Sequence, residues 1–214
     1  MHDNNITIFN PVNLVGSKGQ DSFTMILNAK SNSGKSTFIR HLYNEYLKTK
    51  YDLVFLFTDN EVNKLYDFVD EKSIYNGNHY CIIKTLFYIQ KKTKNRYRIL
   101  IIFDDYIAKL KLKSCKMIIN LFSRGRNSNI STIYSTQYIN LLNKACRLNT
   151  NYSFILNATQ PSNNYILFKE YLEQYNKTFT SKNYNEQLCN LTKNYNILIS
   201  DYVNNRLYTY RVMV

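Results

Sequence analysis

The chain has 214 residues, 44% of them hydrophobic, which suits one domain with a sizeable core. Its formal net charge of +13 favours a polyanionic partner, such as nucleic acid or an anionic membrane surface. Four scattered cysteines, a polar N-terminus and the lack of a long apolar run argue against a zinc ribbon, a secretion signal and a membrane span. Together these features favour a soluble, intracellular protein.

Short apolar runs alternate along the chain with segments of helical periodicity. The predicted strands, in chain order, are Phe23–Leu27, Asp52–Thr58, Tyr80–Ile83, Ile99–Phe103, Ser131–Thr136 and Tyr152–Leu156. Helices are predicted after Thr37, over Lys109–Phe122 and after Pro161, a residue that suits the first turn of a helix. The end of the chain, NILISDYVNNRLYTYRV, predicts two strands around a turn at Asn204-Asn205. This alternation predicts an α/β fold with a mainly parallel central sheet flanked by helices, and with a C-terminal β-hairpin.

The stretch LNAKSNSGKST lies between the first predicted strand and the helix that follows it. It matches the phosphate-binding pattern G-x-x-x-x-G-K-[ST], except that Ala29 replaces the first glycine. Alanine keeps that position small, and Gly34, which lies beside the phosphates where a Cβ is harder to accommodate, is present. We therefore expect the loop to bind the phosphates of a nucleotide, with Lys35 reaching the β- and γ-phosphates and Ser36 coordinating Mg²⁺. The predicted nucleotide-binding residues are Ala29, Lys30, Ser31, Asn32, Ser33, Gly34, Lys35, Ser36 and Thr37.

An alternative interpretation of this stretch is a turn rich in serine and asparagine that caps a helix and leaves Lys35 in solvent. The next motif bears on that choice, because a phosphate loop needs an acidic partner for the metal.

An acidic pair follows the strongest predicted strand, in the sequence RILIIFDDY. Ligands of open α/β sheets bind at the carboxyl ends of the strands, so Asp104 is expected beside Ser36, where it would hold Mg²⁺ through a water molecule. Asp105 is then placed to activate an attacking water molecule as a general base. The alternative is that both aspartates cap the segment that follows. The second acid favours hydrolysis over phosphoryl transfer to a small molecule.

A third informative stretch is FSRGRNSNISTIYSTQY, in which a helix ends, a strand follows and Gln137 comes directly after the strand. Gln137 is expected at the same sheet edge as Asp104, where it would contact the γ-phosphate or the attacking water. Arg126 or Arg124 is predicted to stabilise transition-state charge, in the site of a neighbouring subunit, with Arg147 as a weaker candidate. The alternative for each arginine is a cation at a helix C-terminus or a contact to a DNA phosphate.

The segments AKSNSGKS, LVFLFTDN, ILIIFDDY, GRNSNIS and STQ occur in this order between Met25 and Leu156. This set resembles the genome-packaging ATPases of poxviruses, other large DNA viruses and virophages, which belong to the FtsK–HerA superfamily of P-loop ATPases. The phosphate loop is generic, whereas the Gly-Arg-Asn segment followed by a strand that ends at Gln137 makes the resemblance specific. It implies a P-loop NTPase with a RecA-like core of the ASCE class and an extra strand between the two nucleotide motifs. The runs Asp52–Thr58 and Tyr80–Ile83 lie in that interval.

The resemblance also implies a function, which is ATP-driven packaging of viral double-stranded DNA into a preformed capsid. ATP and Mg²⁺ would be the cofactors. The partners would be double-stranded DNA, further copies of the chain in a ring, taken to be a hexamer, and viral capsid proteins. The host cytoplasm, a viral factory or the virion would be the location.

Carried onto this chain, the resemblance assigns Lys35 and Ser36 to the nucleotide and Mg²⁺, Asp104 to Mg²⁺, Asp105 to water activation and Gln137 to sensing. We expect one ATPase domain over residues 1–214, with a core over about 22–160 and a C-terminal helical and hairpin extension over about 161–214. Three alternatives remain: a nucleoside or nucleotide kinase, a helicase or translocase that does not package DNA, and a non-enzymatic DNA-binding or capsid protein.

Overall fold

The computed structural model describes residues 6–14, 22–59, 66–77, 79–106 and 115–211. In these ranges nine strands form one sheet. They are β1 (Thr7–Ile8), β2 (Thr24–Ala29), β3 (Leu53–Thr58), β4 (Ile74–Asn76), β5 (Ile99–Asp104), β6 (Ile130–Thr136), β7 (Tyr152–Leu156), β8 (Asn196–Asp201) and β9 (Arg206–Arg211). The helices are α1 (Lys35–Leu42), α2 (Tyr80–Lys92), α3 (Lys116–Arg124), α4 (Lys144–Leu148), α5 (Pro161–Leu167) and α6 (Tyr184–Leu191). Both α1 and α5 continue into one turn of π-helix, at Tyr43–Leu47 and Phe168–Leu172.

The strand order across the sheet is β1-β9-β8-β7-β2-β6-β5-β3-β4. Strand β8 is antiparallel to β7 and β9, and the other pairings between described strands are parallel. Asn28 of β2 lies opposite Thr136 of β6, and Asp104 of β5 lies opposite Ser135. The carboxyl ends of β2, β5 and β6 therefore meet at one edge of the sheet, as ligand sites in α/β proteins require.

The central strands are buried on both faces, and their side chains alternate between two apolar layers. In β5, Ile99, Ile101 and Phe103 belong to the layer that also contains residues of α2, α3 and α5. Leu100 and Ile102 belong to the opposite layer, which contains residues of α1. Strand β5 is thus packed on both faces, and the acidic pair at its carboxyl end is attached to a buried strand. None of the described helices is long and apolar enough to cross a membrane.

The predicted α/β class, the mainly parallel sheet and the C-terminal hairpin β8–β9 are confirmed. The predicted strands before the phosphate loop, over Asp52–Thr58, at Ile99–Phe103, at Ser131–Thr136 and at Tyr152–Leu156 all occur, with small shifts in their ends. The helix after Pro161 also occurs. The predicted helix Lys109–Phe122 is observed from Lys116, and residues 109–114 lie outside the described residues.

One prediction about the interval between the nucleotide motifs is wrong. Tyr80–Ile83 is the first turn of helix α2, in which Ile83, Leu86 and Gln90 are buried at helical spacing. A four-residue apolar run cannot by itself distinguish a strand from a buried helical turn. The extra strand that the RecA-like ASCE core implies is present: β3 occupies the sequence interval between the two motifs, and in the sheet β6 lies between β2 and β5.

Candidate nucleotide and magnesium site

The predicted phosphate loop joins β2 to α1 and has the backbone of an anion-binding turn. Gly34 has a φ of 86°, and a Cβ added there would meet no protein atom within 4 Å, so the left-handed backbone by itself favours glycine there. Ser33 Oγ donates to the carbonyl of Lys30 at 2.6 Å and closes the turn. Phe38 N donates to the carbonyl of Gly34 at 2.8 Å, which leaves the preceding N–H groups of α1 without partners inside the helix. These N–H groups are the donors that a phosphate group needs.

Ser36 and Asp104 are brought together as predicted. Ser36 Oγ donates to Asp104 Oδ2 at 2.7 Å, and the hydroxyl of Tyr66 donates to the same oxygen. Asp104 is only 2% exposed, and its Oδ1 is buried without a hydrogen-bond partner among the described residues. A carboxylate oxygen without a hydrogen-bond partner, beside a serine hydroxyl, suits Mg²⁺, which prefers oxygen ligands and retains several water molecules. The residues present therefore fit a magnesium site.

Lys35 and Asp105 form a second pair beside the first. Lys35 Nζ lies 3.6 Å from Asp105 Oδ1 and donates to the carbonyl of Lys30 at 3.2 Å. Burial raises the pKa of Asp105, an effect that Lys35 opposes and the charge of Asp104 reinforces, and the net direction is upward. A carboxylate with a raised pKa is a better proton acceptor, which suits a general base.

Gln137 reaches the same pair from the end of β6. Its Nε2 donates to Asp105 Oδ2 at 3.4 Å, and its main-chain carbonyl accepts from Asn163 Nδ2 at 2.6 Å. Gln137 is thus held from α5 and faces the carboxylate that is predicted to activate water. The structure brings together Lys35, Ser36, Asp104, Asp105 and Gln137.

The three candidate arginines lie elsewhere. Arg126 precedes β6, at the amino end of a seven-residue strand that is about 20 Å long, whereas Gln137 follows the carboxyl end. Burial lowers the pKa of the Arg126 guanidinium, which makes no ion pair with any residue in the described ranges. Arg124 is exposed at the end of α3. Arg147 donates to both carboxylate oxygens of Glu170, at 2.7 and 2.9 Å, so its charge is already paired within the chain.

Tyr66 and Asn163 contact the site but were not predicted from the sequence. Tyr66 reaches Asp104 across 38 positions, and Asn163 reaches the main chain of Gln137 across 26. Neither lies in a motif. Only the position of Asn163 in the first turn of a helix that follows a strand end could have indicated its proximity to the sheet edge.

The comparisons with known proteins support the same architecture. A profile of the family described as Poxvirus A32 protein matches residues 15–209. A search of curated proteins gives no significant match. Among solved structures, the genome packaging NTPase B204 from Sulfolobus turreted icosahedral virus 2, in complex with ATP-gammaS, is 17% identical, with a TM-score of 0.67 over 96% of this chain and 100% of that chain.

Two further structures extend this likeness. B204, the DNA-packaging ATPase from Sulfolobus turreted icosahedral virus, has a TM-score of 0.67 at 17% identity, over 90% of this chain and 98% of that chain. The pCW3 conjugation coupling protein TcpA, in its monomer form with ATPgS, has a TM-score of 0.57 at 13% identity, over 89% of this chain and 60% of that chain. At these identities the likeness confirms the P-loop NTPase fold.

Proposed function

The chain belongs to the poxvirus A32 protein family, the family that its motifs predicted, and we propose that it is an ATP-hydrolysing translocase that packages viral double-stranded DNA into a preformed capsid. The observation that carries this proposal is the convergence of Lys35 and Ser36 of one loop with Asp104, Asp105 and Gln137 at one sheet edge. The family match covers all five residues. Neither the kinase nor the non-packaging helicase gains support from the comparisons.

ATP is the nucleotide, and its phosphates lie on the N–H groups of the loop and of the first turn of α1. Ser36 and Asp104 hold Mg²⁺, which neutralises charge on the phosphate oxygens when it is bound. When ATP binds, the Lys35 ammonium group exchanges its ion pair with Asp105 for one with the more highly charged phosphates. The Asp105 carboxylate is then no longer paired with Lys35. Asp105 accepts a proton from the attacking water, and the amide of Gln137 orients that water or the γ-phosphate.

The net charge and the position of Arg126 support the wider assembly. The net charge of +13 suits a DNA partner. Arg126 lies at the opposite end of β6 from the phosphate loop, a position that supports a role in the site of a neighbouring subunit of a ring, taken to be a hexamer. The ATPase domain spans residues 1–214, with its core over about 22–160 and the C-terminal part over about 161–214. The ATPase binds viral capsid proteins, in the host cytoplasm or viral factory.

Phosphate release, measured with and without duplex DNA, tests the function. We expect duplex DNA to stimulate release and the Lys35→Ala variant to show none, because the loop then loses the cation that binds the β- and γ-phosphates. Transfer of phosphate to a nucleoside monophosphate, without any effect of DNA, would establish a kinase instead. Strand separation of the added duplex would establish a helicase.

A further inference from the structure

One side chain beside the Asp104 carboxylate comes from outside both nucleotide motifs. Tyr66 lies between β3 and β4 and is buried, and its hydroxyl donates to Asp104 Oδ2, the oxygen that also accepts from Ser36 Oγ at 2.7 Å. A carboxylate oxygen has about two lone-pair sites, so these two donors fill Oδ2. Asp104 Oδ1 is buried and has no hydrogen-bond partner among the residues that the structure describes. Oδ1 is therefore the oxygen that remains for a metal ion or for a water molecule bound to it.

Tyr66 begins a short segment that packs along α1. The next residue, Asp67, accepts from Arg40 of α1, with 2.6 Å between Oδ2 and Nη2. The Phe68 ring then stacks on Tyr43, where α1 continues into its π-helical turn, with ring centroids 4.4 Å apart. The stacked pair is the stronger contact, because the ion pair is exposed to solvent. These contacts fix the backbone from which the Tyr66 side chain reaches Asp104.

We propose that Tyr66 is a positioning residue for the magnesium site, whose hydroxyl holds the Asp104 carboxylate in the orientation that presents Oδ1 to the ion. The inference rests on the proposed function, because that function places Mg²⁺ and ATP at this site. Ser36 can retain its hydrogen bond to Asp104 while it coordinates the ion, since a hydroxyl has one proton to donate and lone pairs besides. Groups that form hydrogen bonds to metal ligands orient those ligands, and their loss lowers metal affinity roughly 10–100-fold.

Loss of the Tyr66 hydroxyl should affect the metal and spare the phosphates. The Asp104 carboxylate would then have one donor in place of two, and it could turn about its Cβ–Cγ bond to present either oxygen to Ser36. Metal binding would have to order the carboxylate again, which reduces the affinity for the ion. The phosphate contacts proposed for the loop N–H groups and for Lys35 involve neither Tyr66 nor Asp104, so they should persist.

The test measures metal and nucleotide binding separately. The full chain, in excess over the non-hydrolysable ATP analogue AMPPCP, is titrated with Mn²⁺, which also prefers oxygen ligands and is followed by electron paramagnetic resonance. Calorimetry gives the affinity for AMPPCP in EDTA. Tyr66→Phe, which removes only the hydroxyl, should weaken Mn²⁺ binding about ten-fold and leave AMPPCP binding in EDTA unchanged. The control Tyr51→Phe removes the hydroxyl of another buried tyrosine, which donates to Ser131 near the amino end of β6, and should change neither affinity.

Two results would overturn the role of Tyr66 and leave the ATPase function standing: an unchanged or higher Mn²⁺ affinity in Tyr66→Phe, or an equal loss of AMPPCP binding in EDTA. If the wild-type chain bound no AMPPCP, or if its complex bound Mn²⁺ no more tightly than free AMPPCP does, the proposed function would fail together with the role of Tyr66. Circular dichroism and thermal unfolding establish that each variant is folded before its affinities are compared.

Discussion

Asp104 and Asp105 are neighbours in the chain, but different groups surround their carboxylates. Asp104 accepts hydrogen bonds from Ser36 and Tyr66, whereas Asp105 faces Lys35 and Gln137. Asp104 is the last residue of β5, and Asp105 begins the turn after it with a φ of 44°. This left-handed residue directs the second carboxylate away from the first, which separates the proposed metal ligand from the proposed base.

Asp105→Asn removes the charge of the proposed base and keeps its shape, and asparagine tolerates a left-handed backbone well. We expect the variant to bind ATP and to hydrolyse it at least about 100-fold more slowly, because a general base contributes roughly 10²–10⁴ to the rate. Nucleotide titration and single-turnover hydrolysis measure the two steps. Loss of ATP binding would instead make Asp105 a structural or metal-binding residue.

The raised pKa of Asp105 also predicts a pH dependence of stability in the nucleotide-free chain. Because the folded-state pKa lies above the ordinary value, ionisation of Asp105 destabilises the fold. That penalty is absent below the unfolded-state pKa and grows as the pH rises through the folded-state pKa. Asp105→Asn should therefore unfold at a higher temperature than the wild type at neutral pH, and the difference should shrink in acid. An unfolding difference that is the same at every pH would contradict this expectation.

The hydrogen bond from Tyr66 to Asp104 should stabilise the fold more than an ordinary buried tyrosine hydrogen bond. The matched control is Tyr51, whose hydroxyl donates to the neutral Ser131 Oγ at 2.7 Å. Hydrogen bonds to charged groups contribute about 1.5–3 kcal/mol and neutral ones about 0.5–1.5 kcal/mol. We expect Tyr66→Phe to lower the free energy of unfolding in urea at neutral pH by more than Tyr51→Phe does. Equal losses of unfolding free energy in the two variants would show that the charge of the Asp104 carboxylate does not strengthen the hydrogen bond from Tyr66.

At the scale of elements, the sequence predicts those parts of the site that follow directly from a strand. The apolar run Ile99–Phe103 identifies a doubly covered strand, and parallel register then brings the end of that strand beside the ends of β2 and β6. Asp104, Asp105 and Gln137 were predictable for this reason. The helical conformation of Tyr80–Ile83 was not predictable from that short run, because Leu86 and Gln90, the buried residues that share a helix face with Ile83, lie further along α2. The contacts of Tyr66 and Asn163 depend on tertiary packing that no local pattern encodes.

The turn between α3 and β6 requires glycine for close approach rather than for an unusual φ. A Cβ on Gly125, whose φ is −54°, would lie 2.4 Å from the carbonyl oxygen of Leu121 and 3.3 Å from that of Ile130. Both atoms belong to the backbone, so the helix end or the start of β6 would have to move. The glycine of the Gly-Arg-Asn motif therefore fixes the position from which Arg126 projects.

Gly125→Ala should reduce the free energy of unfolding by about 3 kcal/mol, at the upper end of the usual cost of overpacking. The control is Gly77→Ala, where φ is 78° but an added Cβ meets nothing within 4 Å. There the left-handed backbone alone should cost about 1–2 kcal/mol. Urea unfolding of both variants measures the difference. A larger loss in Gly77→Ala would show that backbone conformation, rather than close approach, dominates at these two sites.

At the scale of the whole molecule, the proposed catalytic groups lie on two opposite edges. The phosphate loop, the two aspartates and Gln137 lie at the carboxyl edge of the central strands, and Arg126 precedes β6 at the amino edge. One chain cannot bring these groups together. Head-to-tail contacts in a closed ring repeat the same heterologous interface, so they can place the amino edge of one subunit against the carboxyl edge of the next. The half-buried Arg126, which is unpaired within the described chain, would meet its anionic partner there.

Mixing two inactive variants tests this arrangement directly. Arg126→Ala retains an intact phosphate site, and Lys35→Ala retains the arginine, so each alone should hydrolyse little ATP. In randomly mixed rings, roughly a quarter of the interfaces would combine an intact site with an intact Arg126, and DNA-stimulated phosphate release should recover toward that fraction of the wild-type rate. Arg124→Ala, which removes the exposed arginine at the end of α3, is the control and should retain activity alone. If the mixture is no more active than the sum of its parts, or if Arg126→Ala alone is fully active, Arg126 does not act between subunits.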